Sequence, residues 1–135
     1  MNKIVKIFTD GGARGNPGPA AIGIVIKDEN DKILKTHAET IGTATNNQAE
    51  YKALIKGLEL VKEFKPNEVL CYLDSELLVK QMKQEYRVKD QNLQPLFVKV
   101  WNLAVNLGKV KYHHIRREFN EEADELLNME LDKRA

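Results

Sequence analysis

One cysteine, Cys71, is all the thiol that this chain of 135 residues contains. No internal disulfide can form, and a reducing compartment fits. Long hydrophobic runs are missing as well. No stretch approaches the roughly 18 apolar residues of a membrane span. Met1-Asn2-Lys3 leads straight into a strand-like pattern rather than into a signal peptide. Net charge is almost absent, at +1, so there is no chain-wide basic field and any nucleic-acid binding must use a local patch. No cluster of Cys and His marks a zinc site. Repeats, low-complexity tracts and linkers are absent too. The expectation is a soluble, cytoplasmic protein of one domain spanning 1–135, because this length supplies one core and not comfortably two.

What is present is a regular alternation of elements. Residues 3–9 read as a strand, rich in β-branched and aromatic residues. A Gly- and Pro-rich loop follows, then strands over 20–27 and 32–41, the latter less apolar and suited to an edge. Short turns between these runs imply an antiparallel meander. A helix is predicted over 46–64, with Leu54, Leu58 and Val61 on one face and Pro66 as its stop. A buried strand over 69–73 follows, parallel to an earlier strand because a helix crosses over to it. A second helix covers 75–85. A third has Pro95 in its first turn, a stripe of Leu96, Val100, Leu103 and Leu107, and Gly108 as its stop. A fifth strand over 110–115 precedes a last helix capped by Asn120, with Glu121 and Glu122 in its first turn. The class is α/β, a five-stranded mixed sheet flanked by helices in the order βββαβααβα.

Four acids stand out against this frame. Asp10 ends the first apolar run just before the glycine loop, although such an aspartate is ordinarily a turn residue. Asp74 repeats that placement at the end of the fourth strand, and reads equally as the N-cap of the next helix. If the two strands are parallel neighbours, the two carboxylates lie side by side at the strand ends where α/β sheets place ligands. Glu50 completes a capping box if Asn47 is the N-cap, yet it also precedes Leu54 and Leu58 on the stripe that faces the sheet. Asp124 lies inside the last helix, three residues before Leu127 and seven before Leu131; a lysine salt bridge is the ordinary account. Together the four would repel and raise one another's pKa unless cations sit among them. Oxygen-only donors suit Mg²⁺ or Mn²⁺.

Asp10-Gly11-Gly12 with Gly15-Asn16-Pro17-Gly18-Pro19, Thr45-Asn46-Asn47 with Glu50, Leu73-Asp74-Ser75, and Ala123-Asp124 together resemble a type 1 ribonuclease H, in order and across essentially the whole chain. The resemblance implies the ribonuclease H-like fold and a metal-dependent endoribonuclease that cleaves the RNA strand of an RNA–DNA hybrid, leaving 5′-phosphate and 3′-hydroxyl ends. It gives Asp10, Glu50, Asp74 and Asp124 the metal-binding and catalytic roles, with two Mg²⁺ ions in the substrate complex and Mn²⁺ as an alternative. It assigns Gly11, Gly12, Asn16, Asn46 and Asn47 to the hybrid, though helix capping is the simple account of Asn46 and Asn47. The hybrid is then the expected partner, with no membrane, no obligate protein partner and a monomeric state.

The match loosens at two places. Better-known members carry a histidine in a mobile loop before the last aspartate. His114 stands ten residues before Asp124, but in a strand pattern that favours a structural role; Arg116, Arg117 and Glu118 occupy the loop proper. The basic protrusion of some relatives is missing, although Lys80, Lys83 and Arg87 share a helical face that suits DNA phosphates. A broader nuclease that also cuts duplex RNA, and a non-catalytic nucleic-acid-binding domain of the same fold, remain alternatives. An actin-like phosphotransferase does not fit, because it needs a second domain.

Overall fold

The computed structural model describes residues 3–133. Strands β1 (Ile4–Ala13), β2 (Gly18–Asp28) and β3 (Ile33–Ala44) form the antiparallel meander. Helix α1 (Asn46–Val61) crosses to β4 (Glu68–Leu73), which pairs parallel with β1. Helices α2 (Glu76–Met82) and α3 (Gln94–Leu107) lead to β5 (Lys109–His114), parallel to β4, and α4 (Glu121–Asp132) follows. The sheet order is β3-β2-β1-β4-β5. The expected class and order hold, with β3 at one edge.

The core explains the layers. Val5 and Ile7 of β1 alternate with half-buried positions and are fully buried, as are Val69, Cys71 and Leu73 of β4. They pack with Leu54, Leu58 and Val61 on the predicted stripe of α1. Each such buried aliphatic side chain contributes about 1.5–3 kcal/mol. A smaller cluster, Ala21 with Leu127 and Leu131, seats α4 on the sheet. Val100 of α3 is buried, and Leu96, Leu103 and Leu107 pack partly buried beside it.

Several boundaries differ from expectation for definite reasons. β1 does not stop at the acid. It runs on to Ala13, because β2 continues to pair with it through Gly11↔Ile22, Gly12↔Ala21 and Ala13↔Ala20. The parallel ladder with β4 ends earlier, at Thr9↔Leu73. Asp10 is therefore mid-strand toward β2 and at a strand end toward β4. Helix α1 ends at Val61, followed by a single 3-10 turn over 62–64 and left-handed Lys65. Helix α2 ends at Met82, three residues early, because Gln84 takes φ 63°. The Glu85 and Tyr86 N–H groups then both turn back to the Lys80 carbonyl. The expected helical face of Lys80, Lys83 and Arg87 accordingly does not exist. Lys80 itself pairs with Glu76 at 2.9 Å and lies over the Tyr86 ring.

The caps also move. Thr45, not Asn47, is the N-cap of α1: its hydroxyl accepts from Gln48 N, and the Gln48 side chain accepts from Thr45 N. Neither Asn46 nor Asn47 caps the helix. Ser75, not Asp74, caps α2 by accepting from Leu78 N. Asn120 holds the N-cap position of α4 but makes no side-chain cap bond.

Candidate active site

Those caps release the acids. With Thr45 and Gln48 closing the start of α1, Glu50 has no capping task and turns to β1. Gly11 N donates to Glu50 Oε1 at 3.4 Å. The approach depends on glycine. A Cβ on Gly11 would lie 2.1 Å from the Ala49 carbonyl oxygen, a distance no side chain tolerates. The start of α1 thus rests directly on the β1 backbone beside Asp10. The same device operates with α4. Gly23 lies opposite Asp10 in the β1–β2 pair, and a Cβ there would meet the Ala123 carbonyl oxygen at 2.2 Å. Asp124 follows on that helix. Two missing methyl groups let two helices bring acids to one strand.

Asp74 arrives through register. Thr9 pairs with Leu73 across the parallel ladder, so the next residues along, Asp10 and Asp74, are neighbours as the strand-end reading required. Carboxylate oxygens of Asp10, Glu50 and Asp74 all lie within 4.8 Å of one another. Asp124 lies close enough for its carboxylate to help raise the Asp10 pKa. All four acids line a cavity of about 320 Å³ whose wall includes Gly12, Asn46 and Arg117. No lysine pairs with Asp124. Its partner is Arg117, whose Nη2 donates at 3.5 Å.

The electrostatics follow from burial. Asp10 is 5% exposed. Desolvation pushes its pKa up to about 7, and the Asp74 and Asp124 carboxylates add to the rise while the Glu50 contact opposes it. Glu50 is held well above the usual carboxylate range, by burial first and then by the Asp10 charge. Asp74 is raised by burial, with its Asn120 hydrogen bond opposing. Glu50 Oε2 is buried with no partner. On the cavity wall, Arg14 is engaged by Asp132 and Arg117 by Asp124. Clustered, desolvated carboxylate oxygens, one of them without a partner, fit a divalent hard cation.

The remaining predicted residues fall around this centre. The Asn46 Oδ1 accepts from Ala13 N at 2.9 Å, and Asn46 N donates to Asn16 Oδ1 at 3.0 Å. The two asparagines thus tie the Arg14–Pro17 turn to the start of α1. Asn47 is exposed beside them. Gly12 lies on the cavity wall, and the Gly11 N–H is directed to Glu50. His114 is the last residue of β5, exposed, opposite Leu73 rather than on the cavity wall. One residue in contact with the centre escaped the sequence reading: Asn120, whose Nδ2 donates to Asp74 Oδ2 at 3.3 Å. Its spacing of four from Asp124 was the available signal, masked by its resemblance to a cap.

Fold and site together define a ribonuclease H-like domain built around an acidic centre. A family model described as reverse transcriptase-like matches residues 8–130. A ribonuclease HI of Halobacterium salinarum is 39% identical over 128 residues, covering 95% of this chain and 64% of that protein. A bifunctional protein of Mycobacterium tuberculosis is 39% identical over 132 residues, covering 97% of this chain and 36% of its own length. Among solved structures, LC11-RNase H1 in complex with an RNA/DNA hybrid superposes with a TM-score of 0.93 at 44% identity, covering 96% of this chain and 98% of that one. The chain spans about a third of the mycobacterial relatives it matches and just under two thirds of the haloarchaeal one. It belongs to the ribonuclease H family, type 1.

Proposed function

We propose that this protein is a metal-dependent endoribonuclease that hydrolyses the RNA strand of RNA–DNA hybrids. The observation that carries the reading is the cluster of Asp10, Glu50 and Asp74 within 4.8 Å, desolvated and without a protein cation among them. A relative at 44% identity, solved with an RNA/DNA hybrid, supports the substrate class. Asp10, Glu50, Asp74 and Asp124 would hold two Mg²⁺ ions, with Mn²⁺ as a substitute. When bound, such a pair supplies Lewis acidity toward a water nucleophile and toward the departing oxygen. The water oxygen forms a bond to phosphorus while the bond from phosphorus to the 3′ oxygen breaks, leaving a 5′-phosphate and a 3′-hydroxyl.

The chain's own residues orient this chemistry. Gly12 and the Asn16–Asn46 pair present backbone and short amides along one rim of the cavity, with Gly11 beneath and Asn47 beside them. This suits the shallow minor groove in which a hybrid displays its 2′-hydroxyls. Arg117 lines the same cavity beside Asp124, where a guanidinium favours a phosphate. His114, exposed at the end of the neighbouring strand and off the cavity wall, takes no part in the bond-breaking step, and its removal slows turnover only modestly. The domain acts as a monomer, in the cytoplasm, without an obligate protein partner. Among the described residues no helix is long and apolar enough to cross a membrane.

A strand-labelled cleavage assay tests the reading with RNA–DNA hybrid, duplex RNA and duplex DNA, each with Mg²⁺, Mn²⁺ or chelator. Cleavage confined to the RNA strand of the hybrid and abolished by chelator is expected. Metal-independent cleavage, or none on any substrate, would overturn it.

A further inference from the structure

Asn120 is 2% exposed, one of the few buried polar residues in the molecule. It stands where α4 begins, a position at which asparagine normally accepts a hydrogen bond from the first turn. Here it makes none. Its side chain points the other way, into the sheet. Nδ2 donates to the Thr9 carbonyl oxygen at 2.9 Å and to Asp74 Oδ2 at 3.3 Å. Both partners can only accept, so chemistry fixes which end of the amide faces them. Its own backbone carbonyl meanwhile accepts from Asp124 N at 3.1 Å.

One residue therefore touches three of the four acid-bearing segments. Thr9 immediately precedes Asp10 on β1. Asp74 extends β4. Asp124 is one helical turn along α4. None of the three segments is covalently close to the others, and Asn120 joins Thr9 across 111 positions of sequence. An amide that occupies Asp74 Oδ2 leaves Oδ1 as the freer oxygen for a cation and fixes the direction in which it points. Groups that orient ligands in this way typically change metal affinity or activity by about 10–100-fold when removed.

We propose that Asn120 is a positioning residue of the metal centre, setting its affinity for Mg²⁺ by holding Asp74 and the β1 terminus in fixed relation to α4. The proposal rests on the metal-dependent reading above. It separates Asn120 from a helix cap, which would affect folding and leave metal affinity untouched.

The test compares wild type with Asn120→Ala and Asn120→Ser. Mg²⁺ and Mn²⁺ binding is measured by titration calorimetry and by the rise of Tm with metal, both without substrate. Hybrid cleavage is then measured against Mg²⁺ concentration. Asn120→Ala is expected to raise the Mg²⁺ midpoint about tenfold or more in both kinds of measurement, with KM for the hybrid within about twofold at saturating metal. Asn120→Ser keeps one donor and should fall between. A wild-type metal midpoint, with the loss confined to Tm in chelator or to KM, would overturn the proposal. If Asn120→Ala does not fold, Asn120→Ser carries the comparison, and a midpoint shifted less than about twofold then overturns it. Wild-type protein that binds metal but cleaves no hybrid would count against the proposed function alone, because the binding comparison needs no cleavage.

Discussion

Helices α1 and α4 both deliver an acid to Asp10, and they are held to different extents. α1 has 16 residues, a complete capping box, and eight buried positions from Ala49 to Val61. α4 has 12 residues, no side-chain cap, and only Ala123, Leu127 and Leu131 buried. A small apolar cluster with Ala21 seats it, and ion pairs to the sheet side add to this: Lys27 to Glu122 at 2.7 Å and Arg14 to Asp132. Exposed pairs of this kind are worth about 0–1 kcal/mol each. Glu50 is thus placed by a large core, while Asp124 is placed by a small one, by the Ala123–Gly23 contact and by the buried Asn120. One wall of the centre is anchored by many more buried side chains than the other.

The sharpest probe removes the acid that both helices serve. Asp10→Asn should lower hybrid cleavage by about three orders of magnitude or more, with circular dichroism and thermal unfolding still showing a folded protein. A near wild-type rate would remove the basis for the whole contrast. Next come the two glycines. Gly11→Ala forces α1 off the strand, against a well-packed core, and should cost about 3 kcal/mol or more; Gly23→Ala displaces the looser α4 and should cost about 1–2 kcal/mol. Equal losses in denaturant titrations would show that α4 is as firmly seated as α1.

The acid cluster gives a third test. Burial raises Asp10 to about 7 and raises Glu50 and Asp74 as well. Between the ordinary carboxylate range and about pH 7 the folded protein therefore binds more protons than the unfolded chain. Stability in chelator should fall as pH rises through that window, and Mg²⁺ should flatten the slope. Denaturant midpoints at pH 5 and pH 8, with and without metal, decide it; a metal-free protein more stable at pH 8 would contradict the burial of these groups. The smallest effect belongs to α4. Lys27→Ala should cost less than about 1 kcal/mol, and the difference should shrink in high salt, whereas Gly11→Ala should be insensitive to salt.

Much of this was legible in the sequence because it depends on period and order. Strand alternation, the stripe of Leu54, Leu58 and Val61, and the helical crossover gave a parallel β4, and Asp10 beside Asp74 followed if β4 neighboured β1, as it does. The capping box was misplaced, at Asn47 with Glu50 rather than at Thr45 with Gln48, because Asn47 and Glu50 offer the same spacing of cap and partner. The early end of α2 was not legible, since nothing in Lys83-Gln84-Glu85 announces a left-handed Gln84. Nor were the close approaches at Gly11 and Gly23. A glycine in a strand signals only that some backbone may come near, and which carbonyl does so depends on where two helices land. Asn120 was concealed by its own residue type, being a good cap in a place where it does not cap.

The parallel ladder between β1 and β4 also acts as a length standard. Val69, Cys71 and Leu73 face the core on alternate positions, and the acid follows one step after the last of them. Strand residues advance about 3.3 Å each and alternate faces. Deleting a single residue within Glu68–Leu73 would draw the carboxylate of Asp74 back by that distance and turn it to the other side of the sheet, and the same deletion would turn the buried row outward. The hydrophobic core therefore proofreads the spacing of the acids: a chain whose β4 has the wrong length to set Asp74 beside Asp10 cannot pack either, so such variants fail first at folding.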